Sequence, residues 1–428
     1  MSVATGARHV AERVRRDDAR RRRLRDAMAV ARLDAAACGR DVSVAEVQAR
    51  RRRNARYQLR DVMQSMTSRD RLATCGRKRI APEVSLRLGS RGAGFAGLAH
   101  CESIWSCPTC AASIRNVRAQ EIQAGVSAHI AGGGGGLFVT LTLPHGKTDP
   151  LRGLLKQITQ GWGAMLRDRA GRAWRGRLGM VGYVRAVEVT HGANGWHPHL
   201  HLLVLTSAPV LDDTREAFAG WLQARWMSYA SDRAWKGTAG QFGATVQDVV
   251  ADDGLSKYVA KVQDEAGIDR VLGVELARGD MKSGRGSSTP FELLAQVVEL
   301  RRSGLDHDGR HERRLAGIWR EYEAETAGLS ALRWSKGLRA LLGVAEVSDA
   351  QILAEQDLGD DARTVVAINA TDWMVICRQG ARGELLDVAE RSGGKAARQF
   401  IAAVVLRDLS EWAAGVESSF EPEPPPPA

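Results

Sequence analysis

The sequence predicts an α+β chain. Its centre is a split βαβ, ferredoxin-like antiparallel sheet, with an N-terminal zinc-binding segment before it and a helical C-terminal region after it. Three observations predict this. Between residues 137 and 262, strand-like runs interleave with stretches of helical period. Four cysteines, two of them in a Cys-x-x-Cys pair, fall between residues 75 and 110. Beyond residue 270 the apolar positions keep helical spacing and nothing reads as catalytic. The 428 residues accordingly divide into a basic helical arm (1–70), a zinc-binding module (71–130), the sheet domain (131–270), a helical C-terminal domain (271–415) and a disordered tail (416–428).

Taken in order, residues 8–60 are dense in arginine, with runs at Arg20–Arg23 and Arg50–Arg53 broken by Met28, Val30 and Leu33. They read as one or two basic helices or as a solvated charged arm. Gly132 to Gly136 mark a boundary. Leu137 to Leu143 alternates apolar residues with Phe138, Thr140 and Thr142, a half-buried strand that ends at Pro144. Leu151, Leu154, Leu155, Ile158, Trp162, Met165 and Leu166 recur at helical spacing. Val181 to Thr190 and His197 to Thr206 are strands joined by the turn His191-Gly-Ala-Asn-Gly, so they form a hairpin. Thr214 to Tyr229 is a helix with Phe218, Trp221, Leu222 and Trp226 on one stripe. Phe242 to Val250 is a strand, and Leu255 to Val262 starts a helix. The order is β-α-β-β-α-β-α, with helices expected on one face of the sheet and the other face left open. Trp319, Tyr322, Trp334, Leu338 and Leu341 suggest packed helices, and the proline-rich end after Glu421 reads as disordered.

Composition bounds the function. A hydrophobic fraction of 44% and a charged fraction of 26% are those of a soluble globular protein. The net charge of +11 points to a polyanion, and nucleic acid fits best. Arginine bias from a GC-rich host is the blander explanation of the arginine count, but it does not raise net charge. No apolar run is long enough for a membrane helix, no signal peptide is visible, and no Walker A sequence supplies a helicase motor.

Six cysteines in a large chain without a secretion signal suggest metal binding in a reducing cytoplasm. Cys107 and Cys110 form a knuckle whose thiolates can grip one zinc ion. Cys101 and Cys75 are the natural third and fourth ligands, and His100 is able to substitute for one of them. The other reading is a redox pair or free buried thiols.

His197, His199 and His201 alternate along a strand. His199 and His201 therefore project from one face, with Leu200, Leu202 and Val204 on the other. Two neutral imidazoles are half of a divalent-metal site. Glu188, on the partner strand, is the candidate third ligand, and two histidines with one carboxylate leave positions on Mg²⁺ or Mn²⁺ for phosphate oxygens. Farther on, Tyr258 and Lys261 share a helical face. Lys261 is placed to favour the Tyr258 phenolate or to grip a phosphate.

Together these pieces resemble the HUH endonucleases, and among them the rolling-circle replication initiators (Rep) of actinobacterial plasmids. The matching residues are Phe138-Val-Thr-Leu-Thr-Leu-Pro, His197-Pro-His-Leu-His and Lys257-Tyr-Val-Ala-Lys261, with Cys101-x5-Cys107-Pro-Thr-Cys110 and Trp334-Ser-Lys-Gly-Leu-Arg also similar. The resemblance spans roughly residues 71–345 and makes 131–270 the nickase domain. It implies a metal-dependent, site-specific DNA nickase and ligase acting at the plasmid's double-strand origin. By that implication, a metal at His199, His201 and Glu188 polarises the scissile phosphate, and Tyr258 attacks it. A 5′-phosphotyrosine and a free 3′-hydroxyl result, and host polymerase and a borrowed host helicase act next. Motif three holds a single tyrosine, so Asp252 and Asp253, just before it, are the candidate carboxylates for the second step. A transposase or relaxase of the same superfamily is the nearest alternative. A non-catalytic zinc-dependent DNA-binding regulator needs only the cysteines and the basic surface. A zinc hydrolase is disfavoured because the histidines lie on a strand.

Overall fold

The computed structural model describes residues 43–231, 243–249, 287–354 and 358–419. Most of the predicted arm, the predicted helix at 255–262 and the proline-rich end lie outside them. In chain order the main elements are α1 (Val44–Met66), β1 (Val84–Gly89), β2 (Gly92–Ala96), α2 (Pro108–Ala131), β3 (Gly135–Thr142), α3 (Leu151–Arg167), α4 (Arg169–Arg177), β4 (Met180–Gly192), β5 (Gly195–Thr206) and α5 (Asp212–Ser231). They continue with β6 (Ala244–Asp248), β7 (Ser287–Ser288), α6 (Pro290–Ser303), α7 (Arg310–Glu325), β8 (Leu332–Trp334), α8 (Leu338–Leu341), β9 (Arg363–Ile368), α9 (Ala370–Arg378) and α10 (Arg382–Ser419). No helix among the described residues is long and apolar enough to cross a membrane.

Two compact units divide the chain, Met1–Cys101 with Ala354–Ala428, and Glu102–Leu353. This differs from the sequence-based division. Residues 44–66 are not a solvated arm but a helix of the first unit, opened by a Ser43–Glu46 capping box. Its Val47, Ala55, Leu59, Val62 and Met63 are buried. Arg53 of this helix binds Glu390 (2.9 Å to Oε2) and Asp387 of α10. The region 271–415 is not one helical domain either: α6, α7, β8 and α8 belong to the second unit, and β9, α9 and α10 to the first. These contacts join residues hundreds of positions apart, which local periodicity cannot report. The first unit closes around the antiparallel sheet β2-β1-β9. Leu86, Phe95, Ile368, Trp373 and Leu385 form its core.

The second unit is built on a sheet of order β6-β3-β5-β4-β7, with β8 also paired to β4, and every pairing is antiparallel. The four longest-paired strands thus run fourth, first, third, second in chain order. β5 is central because both its faces are apolar except at the histidines. On one face, α3 and α5 supply Ile158, Trp162, Phe218, Leu222 and Trp226, all buried. The close approach of these helices needs Gly161, since a Cβ there would meet Trp226 at 2.5 Å. The other face is not left open as expected. Ile122 and Val126 of α2 and Leu338 of α8 cover its lower half, packing on Phe138, Val184, Leu203 and Leu205. β3 is consequently buried on both faces rather than half-buried. What remains of that face is the histidine end.

Candidate functional site

The hairpin β4–β5 sets the geometry. Gly192 pairs with Gly195, and the register then carries Glu188 opposite His199 and Ala186 opposite His201. On the far side of β5, Thr142 lies opposite His199 and Thr140 opposite His201. Directly opposed residues of antiparallel strands share a face, so one face collects His197, His199, His201, Glu188, Thr140 and Thr142. Gly195 makes the tight turn possible, with φ of +81°.

His201 is the innermost, 3% exposed. Its Nε2 donates to Glu188 Oε2 at 2.9 Å, and its Nδ1 is then free to accept from Thr140 Oγ1 at 3.2 Å. Phe138 stacks on its ring, centroids 5.7 Å apart. His199 stacks on the next position, its centroid 6.0 Å from His201 and 4.2 Å from His197. The Nδ1 of His199 is buried with no hydrogen-bond partner. A fourth histidine closes the row. His145 Nδ1 donates to the Asn194 carbonyl at 3.0 Å, so its Nε2 accepts from His197 Nδ1 at 2.5 Å. Since a carbonyl only accepts, this chain fixes the tautomers and leaves His197 Nε2 with a lone pair.

Burial favours the neutral form of the His199 and His197 rings. The His199 pKa falls to about 3, through burial first and then the neighbouring His197, His201 and His145. That of His197 is lowered by burial and by His145, against an opposing pull from Glu188. Neutral imidazole is the form that ligates metals.

A second cluster lies at Cys75, Cys101, Cys107 and Cys110. All four are buried and unbridged, and their sulfurs lie within 4.8 Å of one another. Among the described residues this is the group of three or more donors spaced to hold one ion, and four thiols suit zinc. His100 is not part of it. Cys107 is the N-cap of α2, with Pro108 in its first turn. Cys101 donates its backbone N–H to Cys75 Sγ at 3.4 Å.

The structure therefore brings His199, His201 and Glu188 onto one face and gathers the four cysteines. Tyr258, Lys261, Asp252 and Asp253 lie outside the described residues. The sequence reading missed His145. Its signal was its place directly after Pro144, where β3 ends beside the hairpin turn. The Trp334-to-Arg339 segment proves to be a clasp. Ser335 exchanges backbone and hydroxyl hydrogen bonds with Tyr183, at 2.8 and 2.9 Å, and the Arg339 guanidinium lies over the Trp334 ring.

A family model described as replication protein matches residues 96–228. A protein rep of Streptomyces lividans is 32% identical over 357 residues, covering 70% of this chain and 76% of that protein. A neomycin resistance protein of Streptomyces cyanogenus is 33% identical over 153 residues, 29% of this chain and 35% of that one. A protein rep of Streptococcus pneumoniae is 32% identical over 74 residues, 17% of this chain and 22% of that protein. No solved structure matches.

Proposed function

The chain belongs to the replication protein (Rep) family, and from that premise we propose that it initiates plasmid rolling-circle replication as an origin-specific DNA nickase of the HUH type. The observation that carries this reading is the register that stacks His199 and His201 beside Glu188 on one face of a buried sheet. The strand order fourth, first, third, second, all antiparallel, supports a ferredoxin-like sheet and with it the same reading.

His199, His201 and Glu188 are the residues that would hold a divalent ion such as Mg²⁺ or Mn²⁺, and a bound ion would replace the proton that His201 Nε2 now donates to Glu188. A buried ring nitrogen without a partner costs about 1–3 kcal/mol, and His199 Nδ1 is such an atom. A bound ion would supply charge neutralisation at the scissile phosphate. The chain's residues do the rest. Glu188 and Thr140 hold the His201 ring, and Phe138 fixes its plane. The Tyr258 hydroxyl loses its proton and its oxygen bonds to phosphorus. The bond from phosphorus to the 3′-oxygen breaks, and that oxygen takes up a proton. Lys261 stabilises the phenolate or the phosphoryl oxygens. The products are a 5′-phosphotyrosine and a 3′-hydroxyl for the host polymerase, and attack by a 3′-hydroxyl in reverse rejoins the strand. Asp252 or Asp253 activates the water or hydroxyl that ends the cycle. Cys75, Cys101, Cys107 and Cys110 hold structural zinc. The setting is the cytoplasm, and unwinding falls to a host helicase.

The test is relaxation of a supercoiled plasmid bearing the cognate origin. Wild type yields open circles whose 5′ end is blocked by protein, and Tyr258→Phe yields none. Open circles with a free 5′ end, or nicking that survives in Tyr258→Phe, would overturn the tyrosine mechanism.

A further inference from the structure

On the sheet face opposite the histidines, β4 carries Arg185, and β8 sets Arg333 directly across from it. Like charges in one cross-strand pair repel. Among the described residues, neither guanidinium has a carboxylate partner. Arg185 donates from Nη1 to the Thr159 carbonyl at 3.0 Å, while its Nε is buried with no partner. Its pKa is lowered by burial first and by Arg333 second, so the environment as it stands disfavours its charge.

The two arginines line a cleft of about 200 Å³ with Thr159, Gln160, Ser330 and Trp105. The cleft offers two guanidiniums and the Gln160 amide beside an apolar wall, and no acid, while the Thr159 and Ser330 hydroxyls donate to the carbonyls of Leu155 and Leu332. Donors in excess, two of them cationic, recognise an oxyanion. Trp334 next door is held by the Arg339 clasp, so Arg333 is presented from a pinned strand and not a loose one.

We propose that this cleft is a phosphate-binding site, separate from the histidine face, in which Arg185 and Arg333 together receive one phosphate group. The phosphate comes either from a DNA backbone or from a free phosphate. The first source rests on the DNA-binding reading above, and the second does not.

The experiment uses the full chain with Arg185→Gln, Arg333→Gln and, as a charge control, Arg302→Gln, exposed on α6. Affinity for a random-sequence duplex of about 30 base pairs is measured between roughly 50 and 200 mM salt. In parallel, thermal unfolding is followed against inorganic phosphate. A DNA source is assigned if Arg185→Gln and Arg333→Gln each lower the slope of log K against log salt by about 0.9 and Arg302→Gln does not. A free-phosphate source is assigned if phosphate raises the wild-type midpoint and neither cleft variant responds. Variants that match wild type in both measurements overturn the proposal, as does an equal effect in Arg302→Gln. If the chain binds no duplex at all, the DNA reading fails by itself and the phosphate titration still decides the site. Arg333 is exposed, so its variant keeps the test open even if Arg185→Gln misfolds.

Discussion

Acid should destabilise this protein through His199, and the size of the effect follows from its surroundings. The folded ring has a pKa of about 3 against an ordinary 6.5, chiefly because it is buried and faces three other imidazoles. As pH falls through 6.5, the unfolded chain takes up a proton at this ring and the folded chain does not. The contribution is therefore fully present above 6.5 and is lost progressively down to about 3. One proton's difference is about 1.4 kcal/mol per pH unit, so about 2 kcal/mol is lost by about pH 5. His197 shifts in the same direction and adds to the loss. In His199→Gln the titrating ring is gone, and the wild-type-minus-variant difference cancels whatever the two proteins share, the cysteine cluster included. Urea unfolding followed by circular dichroism, in buffer free of Mg²⁺ and Mn²⁺, reads this difference at pH values from about 7.5 to about 5. The expected result is a wild-type advantage that shrinks by about 2 kcal/mol over that range. A difference that stays constant would mean that the ring is open to water and is not a preformed neutral ligand.

Two further outcomes are expected. Leu203 is fully buried beneath the histidine row, so Leu203→Ala should cost about 2–5 kcal/mol and lower the thermal midpoint, and an unchanged midpoint would contradict the packing described. Elemental analysis of purified protein should find one zinc ion per chain, lost in Cys107→Ser, whereas full zinc in that variant would place the ion elsewhere.

The parts of the fold written in short-range pattern were legible. Alternation at 137–143 and the turn residues before Gly195 set out β3 and the β4–β5 hairpin, strand parity put His199 and His201 on one face, and Glu188 was a candidate that the hairpin register sets opposite His199. The Cys-x-x-Cys spacing led to the thiol cluster. What failed depended on partners distant in sequence. Ile122 and Leu338 reach the same sheet face from opposite ends of the unit, so the second face was read as open. Arg53 looked like arm charge because Asp387 and Glu390 lie more than 300 residues away. His145 was missed for a subtler reason: its partners are the carbonyl of Asn194 and a ring on another strand, and only the folded hairpin brings them to it.

The most direct measurement is a denaturing gel of the protein with labelled single-stranded origin DNA and Mn²⁺, run for wild type, Tyr258→Phe and His199→Ala. The account predicts a covalent protein–DNA band in wild type that is absent from both variants. A wild type that binds the DNA yet never forms the band, with binding lost on zinc chelation, would contradict it and leave a zinc-dependent DNA-binding protein in its place.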